Sequence, residues 1–414
     1  MFINSLPNDV SWFSSAQVGA PQMLGGSNGD LLRVLDACLV SGFGEKSVLN
    51  VTTNGNSVTL DFGVGHGYLE RQVILVSGAN DSLLNGRHRI LSATNNSVTV
   101  SITGVITTAG AILVKAAPLN WESVFGSADP LKRAYRSKSS TSNKRVLFLD
   151  MSYGSSSGYH ATSPAKRASV SVCEDMTTLG VQVNSLTDTI NKFQSNPNGS
   201  LFWYQKRGST KADAVPNTAT PWKIIGNSDF FFLVIGWSSA SAFEGTIRCD
   251  VFGFGEFAGI GDALADNQFL IAMENNNDDR TSLTPDFGAY FTSSTTGTIY
   301  DPSVYCMSNG GFSKKPLSII TAVDANLALQ SGTSSLVYPN PTGSALFTHP
   351  IRVGRGSSGL MGVVPCIMFL ESNVSSGGAS YDGVVVDGVV LVHVQHRPTF
   401  SSYTPAYYAF YLGD

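Results

Sequence analysis

FFFLVIGW, Phe230–Trp237, is an unbroken apolar run with no polar residue to mark a solvent face. A half-exposed strand alternates apolar and polar residues, so this run reads as a central strand buried on both faces. Working outward, WKII (Trp222–Ile225), CDVFGFGEF (Cys249–Phe257) and QFLIAME (Gln268–Glu274) flank it with the same strand character. MGVVPCIMFLE (Met361–Glu371), VVLVHV (Val389–Val394) and AYYAFYL (Ala406–Leu412) extend the pattern toward the end, and RVLFLDMSY (Arg145–Tyr153) and SVSVCEDM (Ser169–Met176) open it. Residues 146–414 are therefore expected to form one large, aromatic-rich β-sandwich-like body. Inside it, TLGVQVNSLTDTINKF (Thr178–Phe193) fits helix and strand periodicity equally well.

Upstream the strands become short and alternating. SVLNVTT, SVTLDFG, QVILVSG, HRILSAT, SVTVSIT and AILVKAA are joined by turn signals at Asn54-Gly55, Gly78-Ala79-Asn80 and Asn85-Gly86. Residues 46–117 are expected to be a small β-sandwich or barrel, with the two strands around Asn95–Ser97 paired as a hairpin. His66 and His88 fall in this unit as a loop and a strand histidine, with no third ligand at a metal-site spacing. Residues 118–145 have a linker-like composition and include Trp121 and Phe125.

Residues 1–45 differ from all of this. From Asp30, Leu31, Leu32, Val34, Leu35, Cys38 and Leu39 recur at helical spacing, with Ser27 or Asn28 placed to cap the start and Gly42 to end the run. A helix of about three turns is marginal alone in water, so its apolar face must lie on the chain's own sheets or on a partner. Before it, Gly19, Pro21, Gly25, Gly26 and Gly29 punctuate small residues, which suits an extended arm. The expected fold class is mainly β: a small N-terminal β-sandwich or barrel, a larger β-sandwich-like body and one short N-terminal helix.

Composition limits the function classes. At 414 residues the chain suggests two or three domains. Charged residues are only 14%, against about 25% in ordinary soluble domains, so hydroxyls, amides and backbone must cover much of the surface. A formal net charge of −4 supplies no electrostatic basis for nucleic-acid binding. The densest basic run, Lys132, Arg133, Arg136, Lys138, Lys144 and Arg145, reads as a solvated loop. No stretch reaches the roughly 20 apolar residues that a spanning helix needs. The opening MFINSLPNDV lacks the basic start and apolar core of a secretory signal, so folding in a cytoplasm is expected. Cys38, Cys173, Cys249, Cys306 and Cys366 are far apart and read as small buried apolar residues, not as a disulfide or zinc framework.

Enzyme signatures do not assemble. Glu174-Asp175, Asp262 with Asp266, Asp278-Asp279 and Asp382 with Asp387 are the carboxylate pairs a glycosidase would use, and they read instead as turn formers. Met273–Asp286 is rich in oxygen ligands but lacks the order of a calcium loop. GFGEFAGIGD (Gly253–Asp262) lacks the helix and Lys-Ser/Thr pair of a phosphate loop, and the serine-rich Met151–Ser163 lacks a nucleophile elbow. No catalytic residue, cofactor or metal ligand is expected.

SSAQVGAP (Ser14–Pro21), LLRVLDACLVSGFG (Leu31–Gly44) and GHGYLERQVILVSGANDSLLNGRHRI (Gly65–Ile90) together resemble the N-terminal architecture of structural proteins of tailed-bacteriophage virions. The matching residues are Ser15, Gln17, Gly19, Ala20 and Pro21 in the arm, then Leu35–Leu39 and Gly42–Gly44 at the helix. In the small unit they are Gly65, His66, Gly67, Gly78, Leu84, Asn85, Gly86 and Arg89. The resemblance is most specific over residues 12–110. It implies a multi-copy component of the tail, tip or baseplate region, made in a bacterial host cytoplasm and located in the virion, and it implies no catalytic residue.

On that basis the expected function is non-enzymatic assembly. The partners are other virion structural proteins and copies of the chain, with no nucleic acid and no membrane insertion. Trp12, Phe13, Val18, Pro21, Leu31 and Leu35 are the residues expected to dock on a neighbouring subunit. Deleting residues 1–26 is then expected to leave a folded protein that fails to enter particles. The alternative is a host-attachment protein binding a surface glycan, with Trp203, Tyr204, Trp222, Trp237, Tyr300, Tyr407 and Tyr408 as stacking surfaces.

Overall fold

The computed structural model describes residues 10–24, 29–104, 110–126, 129–152, 167–185, 201–205, 219–236, 249–259, 268–274, 303–308, 311–312, 318–319, 348–354, 360–370, 385–386, 389–394 and 406–412. These residues are mainly β. The chain opens with β1 (Ser11–Ser14), β2 (Met23–Leu24), α1 (Asp30–Leu35) and a π-helical turn (Asp36–Ser41). A small unit follows: β3 (Phe43–Ser47), β4 (Asn50–Asn54), β5 (Ser57–Asp61), β6 (Val73–Ser77), β7 (Gly86–Ala93), β8 (Ser97–Ser101) and β9 (Leu113–Ala116). The body begins with β10 (Trp121–Ser123), β11 (Lys132–Ser137), β12 (Val146–Asp150), β13 (Arg167–Thr178), β14 (Val181–Ser185), β15 (Leu201–Tyr204) and β16 (Ala219–Thr220). It continues with β17 (Trp222–Gly226), β18 (Phe230–Gly236), β19 (Cys249–Glu256), β20 (Ala258–Gly259), β21 (Gln268–Glu274), β22 (Ser303–Ser308) and β23 (Gly311–Phe312). The last strands are β24 (Ser318–Ile319), β25 (Thr348–Gly354), β26 (Leu360–Leu370), β27 (Val385–Val386), β28 (Val389–Val394) and β29 (Ala406–Tyr411).

The small unit is one antiparallel seven-stranded sheet in the order β3-β9-β6-β7-β8-β5-β4. It curls until Val58, Leu60, Ile74, Val76, Ile90, Val98, Val100 and Val114 meet in a single cluster. β4 and β5 close across Asn54 and Ser57, as the Asn-Gly turn predicts, and β7 and β8 pair around Asn95–Ser97, with Ala93 opposite Val98. The body holds a thirteen-stranded sheet with the path β1-β17-β18-β19-β21-β15-β13-β12-β11-β10, and a second, seven-stranded sheet built from β20 and β24–β29.

The apolar run behaves as its composition predicts: every residue of β18 is buried between β17 and β19. Successive strand side chains point to opposite faces, so β18 serves two cores. Phe231, Leu233 and Ile235 join a cluster with the arm and the helix, and Phe231 meets Trp121 and Trp203 edge-on at 5.3 and 6.0 Å. On the other face Phe232 meets Phe269 at 5.6 Å and Phe410, from the second sheet, at 5.4 Å.

Three expectations are corrected. Residues 118–145 are not a linker, because β10 and β11 extend the thirteen-stranded sheet and Trp121 and Tyr135 enter its core. The basic run is not a solvated loop: most of it sits on or beside β11, where strand pairing sets cations against acceptors. Lys132 pairs with Asp150, Arg133 with Asp36 and Arg136 with Glu122, while Lys144 reaches the Ser137 carbonyl and Arg145 reaches Gln268. The helix begins after Gly29, in a left-handed conformation, with no side-chain cap, and Ser27 and Asn28 lie outside the described residues. In the ambiguous segment, Thr178 ends β13 and Val181–Ser185 form β14, while the remainder beyond Ser185 lies outside the described residues.

Candidate interaction site at the N-terminal arm

The arm is a strand of the body. β1 runs antiparallel to β17, with Trp12 opposite Ile225 and Phe13 opposite Ile224. The ladder continues past its end: the Ser15 N–H donates to the Trp222 carbonyl (2.9 Å), the Trp222 N–H to Ser15 Oγ (3.2 Å) and the Trp222 indole N–H to the Pro21 carbonyl (3.0 Å). Gln17 then folds the chain over, its Oε1 accepting from the Ser14 N–H (2.8 Å). β2 pairs with β16, and Asp30, fully buried at the helix start, accepts from the Leu24 N–H at 2.6 Å.

Four of the six residues expected to reach a neighbour are therefore used within the chain. Trp12 is 2% exposed, Phe13 1%, and Leu31 and Leu35 0%, because β17 and the body's core supply the surface that the apolar arm and helix need. This corrects their assignment as docking residues. Pro21 is half-buried, and Val18 alone of the six is open, at 51%.

The small unit grips the arm from the other side. Gln72 Nε2 donates to the Trp12 carbonyl (3.2 Å), the Val73 N–H to Ser11 Oγ (3.3 Å) and Arg89 to the Val10 carbonyl (3.1 Å). Glycines make the closest approach. Gly19, at φ +78°, lies so near the small unit that a Cβ there would stand 2.7 Å from Gly44 Cα, and a Cβ on Gly67 would strike Val18 at 2.5 Å. Replacing Gly19 by Ala is expected to cost at least about 1 kcal/mol, from both the positive φ and the collision. Urea unfolding should show a lower midpoint at unchanged slope; an unchanged midpoint would count against the contact.

Polar side chains of β11 and the helical segment complete the junction. The Tyr135 hydroxyl donates to Asp36 Oδ1 (2.8 Å) and lies 3.2 Å from the Leu32 carbonyl, while Arg133 Nε holds Asp36 Oδ2 at 2.9 Å. Burial, together with the neighbouring Asp36 carboxylate, pushes the Tyr135 hydroxyl well above its ordinary pKa. The Leu119 N–H takes the Cys38 carbonyl in the widened turn (2.8 Å). The Asp36–Arg133–Tyr135 group escaped sequence reasoning because Asp36 lies far in the chain from its two partners on β11 and the basic run resembled a loop.

In the small unit His66 is 1% exposed. Its Nδ1 accepts from the Tyr68 N–H (2.9 Å) and its Nε2 faces the Ser97 carbonyl (3.2 Å). Tyr68 carries the link onward, its hydroxyl lying 2.7 Å from the Gly44 carbonyl and 2.6 Å from that of Val114. His88 sits on β7 against the Leu84 carbonyl (2.9 Å).

Reactive groups are not gathered at this junction. Burial pushes the Cys38 and Cys366 thiols up and raises Cys173 to about 12, so all three are protonated at neutral pH and poor nucleophiles. Among the described residues no three His, Cys, Asp or Glu side chains gather as a metal site, and no helix is long and apolar enough to cross a membrane. Glu174 holds Asn184 (2.7 Å) and Asp175 faces Arg136 (3.5 Å). Gly253–Glu256 lie in β19, in strand conformation. Asp262, Asp266, Asp278, Asp279, Asp382, Asp387 and most of the serine-rich and oxygen-rich stretches lie outside the described residues. Of the aromatics expected to stack on sugar, Trp203 and Trp222 are fully buried, which removes them from that role. Trp237 and Tyr300, and the side chains of Tyr204, Tyr407 and Tyr408, lie outside the described residues.

Compared with known proteins, the chain matches no family model and no curated protein.

Proposed function

We propose that this chain is a non-enzymatic structural component of a tailed-bacteriophage virion, in the tail, tip or baseplate region, assembling with copies of itself and with other virion proteins. One observation carries the reading. Many of the residues on which the resemblance to such proteins rests gather at and around the arm junction, where their contacts position backbone, while Gly78 and Asn85 shape a separate turn beside Ala79 and Ala111. Ser15 and Gln17 shape the arm, Gly19, Gly44 and Gly67 allow its close contact, and His66 and Arg89 hold the loop and carbonyls around it. A pattern used this way belongs to a scaffold that must present its outer surfaces at fixed angles. With the arm committed to its own sheet, contact with neighbours falls to the outside of the small unit and arm turn, where Val18, Leu49, Val64 and Leu69 are exposed.

The test is to raise antibodies against the purified protein and label intact particles from an infected culture for electron microscopy. Several copies at one fixed position on the tail are expected. A chain confined to the particle-free supernatant would overturn the reading.

A further inference from the structure

We infer that His66 is an acid-sensitive latch that holds the small β unit against the arm turn, and that its protonation releases this contact while β1 stays in its sheet. The geometry leaves the ring no room for a second proton. Because Nδ1 accepts from the Tyr68 N–H, the neutral ring carries its proton on Nε2 and donates it to the Ser97 carbonyl. A proton on Nδ1 would oppose one donor to another and leave the Tyr68 N–H, buried, without an acceptor. The ring is also packed between Phe62 (4.9 Å) and Tyr68 (5.3 Å), where an imidazolium has little solvation.

Relief requires the backbone at 66–68 to move, and both neighbours of that backbone touch the arm region. Gly67 lies directly against Val18. Tyr68 holds the Gly44 carbonyl, and Gly44 is the residue against which Gly19 packs. β1 has its own ladder to β17, and the small unit's bonds to β1 come from Gln72, Val73 and Arg89, outside the 66–68 backbone. The ionisable groups on the surrounding elements are Asp61 on β5, Glu45 and Lys46 on β3, and Tyr68, Glu70 and Arg71 on the loop itself, and the 94–97 turn contributes none. Asp61 is turned to the Gly63 N–H (2.8 Å) and Glu45 acts on Tyr68, so among the described residues no carboxylate is hydrogen-bonded to the ring.

Burial lowers the His66 pKa from the ordinary 6.5 and outweighs the backbone hydrogen bonds at Ser97 and Thr94, which favour the charged ring. A histidine whose folded-state value is lowered contributes stability that is complete above about 6.5 and is lost as pH falls toward the folded value, by up to about tenfold in the opening equilibrium per pH unit. His88 is lowered in the same direction by burial but faces Leu84, away from the arm turn.

The experiment is amide hydrogen exchange between pH 7.5 and 5, corrected for intrinsic rates, on the full chain, with His66→Asn and His88→Gln as variants. Asn places an acceptor where Nδ1 stands and does not titrate in this range. Wild type should lose protection at Gln17, Ala20 and Tyr68 progressively as pH falls below about 6.5, by up to about tenfold per pH unit, with the Ser15 and β18 amides unchanged. His88→Gln should behave as wild type and His66→Asn should lose the pH dependence. Equal loss in His66→Asn, or no loss in wild type, would overturn the proposal. Should His66→Asn fail to fold, the His66 ring titration in wild type, followed by NMR, decides instead: arm-turn protection must fall with the same midpoint, and independent midpoints refute the latch.

Discussion

Deleting residues 1–26 is expected to abolish folding rather than merely block assembly. The deletion removes Trp12, Phe13 and Met23, each at most 2% exposed, from the body. At roughly 1.5–3 kcal/mol for each buried side chain this is about 5–9 kcal/mol, of the same order as the 5–15 kcal/mol that holds an ordinary domain together. The indole N–H of Trp12, buried with no partner among the described residues, offsets about 1–3 kcal/mol of that gain. Loss of the β17 ladder and of the Pro21 carbonyl for Trp222 works in the other direction. The truncated chain should be recovered as aggregate, or as soluble material without a cooperative thermal transition. A truncation melting within a few degrees of the full chain would show that the arm is an appendage after all.

Phe231→Ala is expected to be the most damaging single substitution in the body, at about 3–5 kcal/mol. Its ring is fully buried and contacts both Trp121, from β10, and Trp203, from β15, so one side chain joins strands distant in sequence. Both tryptophans are fixed by their own hydrogen bonds, Trp121 to the Asn227 carbonyl (2.8 Å) and Trp203 to that of Ile271 (2.9 Å). They therefore have little freedom to collapse into the space left behind. Val181→Ala, at a side chain 55% exposed on β14, should stay within about 0.5 kcal/mol. Chemical denaturation of both variants checks the contrast, and a cost below about 1 kcal/mol for Phe231→Ala would contradict the packing.

The proposed virion role and the observed burial of the arm fit together in one respect. A chain with few charged side chains, placed in a symmetric assembly, gains from having its own greasy segments satisfied internally before it meets its neighbours. Trp12 and Phe13 do not wait for a partner, and the Val18 turn remains on the outside. Whatever approaches that turn meets a surface whose backing is the small unit, held there through Gly67, Gly44 and His66.

Much of the fold was legible from local pattern alone. The missing alternation in Phe230–Trp237 identified a strand covered on both faces, the alternation in the small unit and its Asn-Gly turn identified short hairpins, and the spacing from Leu31 to Leu39 identified the helix. These are properties of neighbours in sequence, where side-chain period and turn chemistry act directly. What covers each apolar face was beyond that reach. A helix or arm with an apolar side carries the same sequence whether it packs on its own sheet or on another subunit, and only the long-range pairing of β1 with β17 decides for the former. The basic run likewise resembled a loop until β11 paired with β12, setting Lys132 opposite Asp150, and packed against the helical segment, setting Arg133 beside Asp36. Sequence determined which segments must be buried and in what conformation; tertiary structure decided against what, because the free energy of burial depends on area removed from water and carries no record of whose surface removes it.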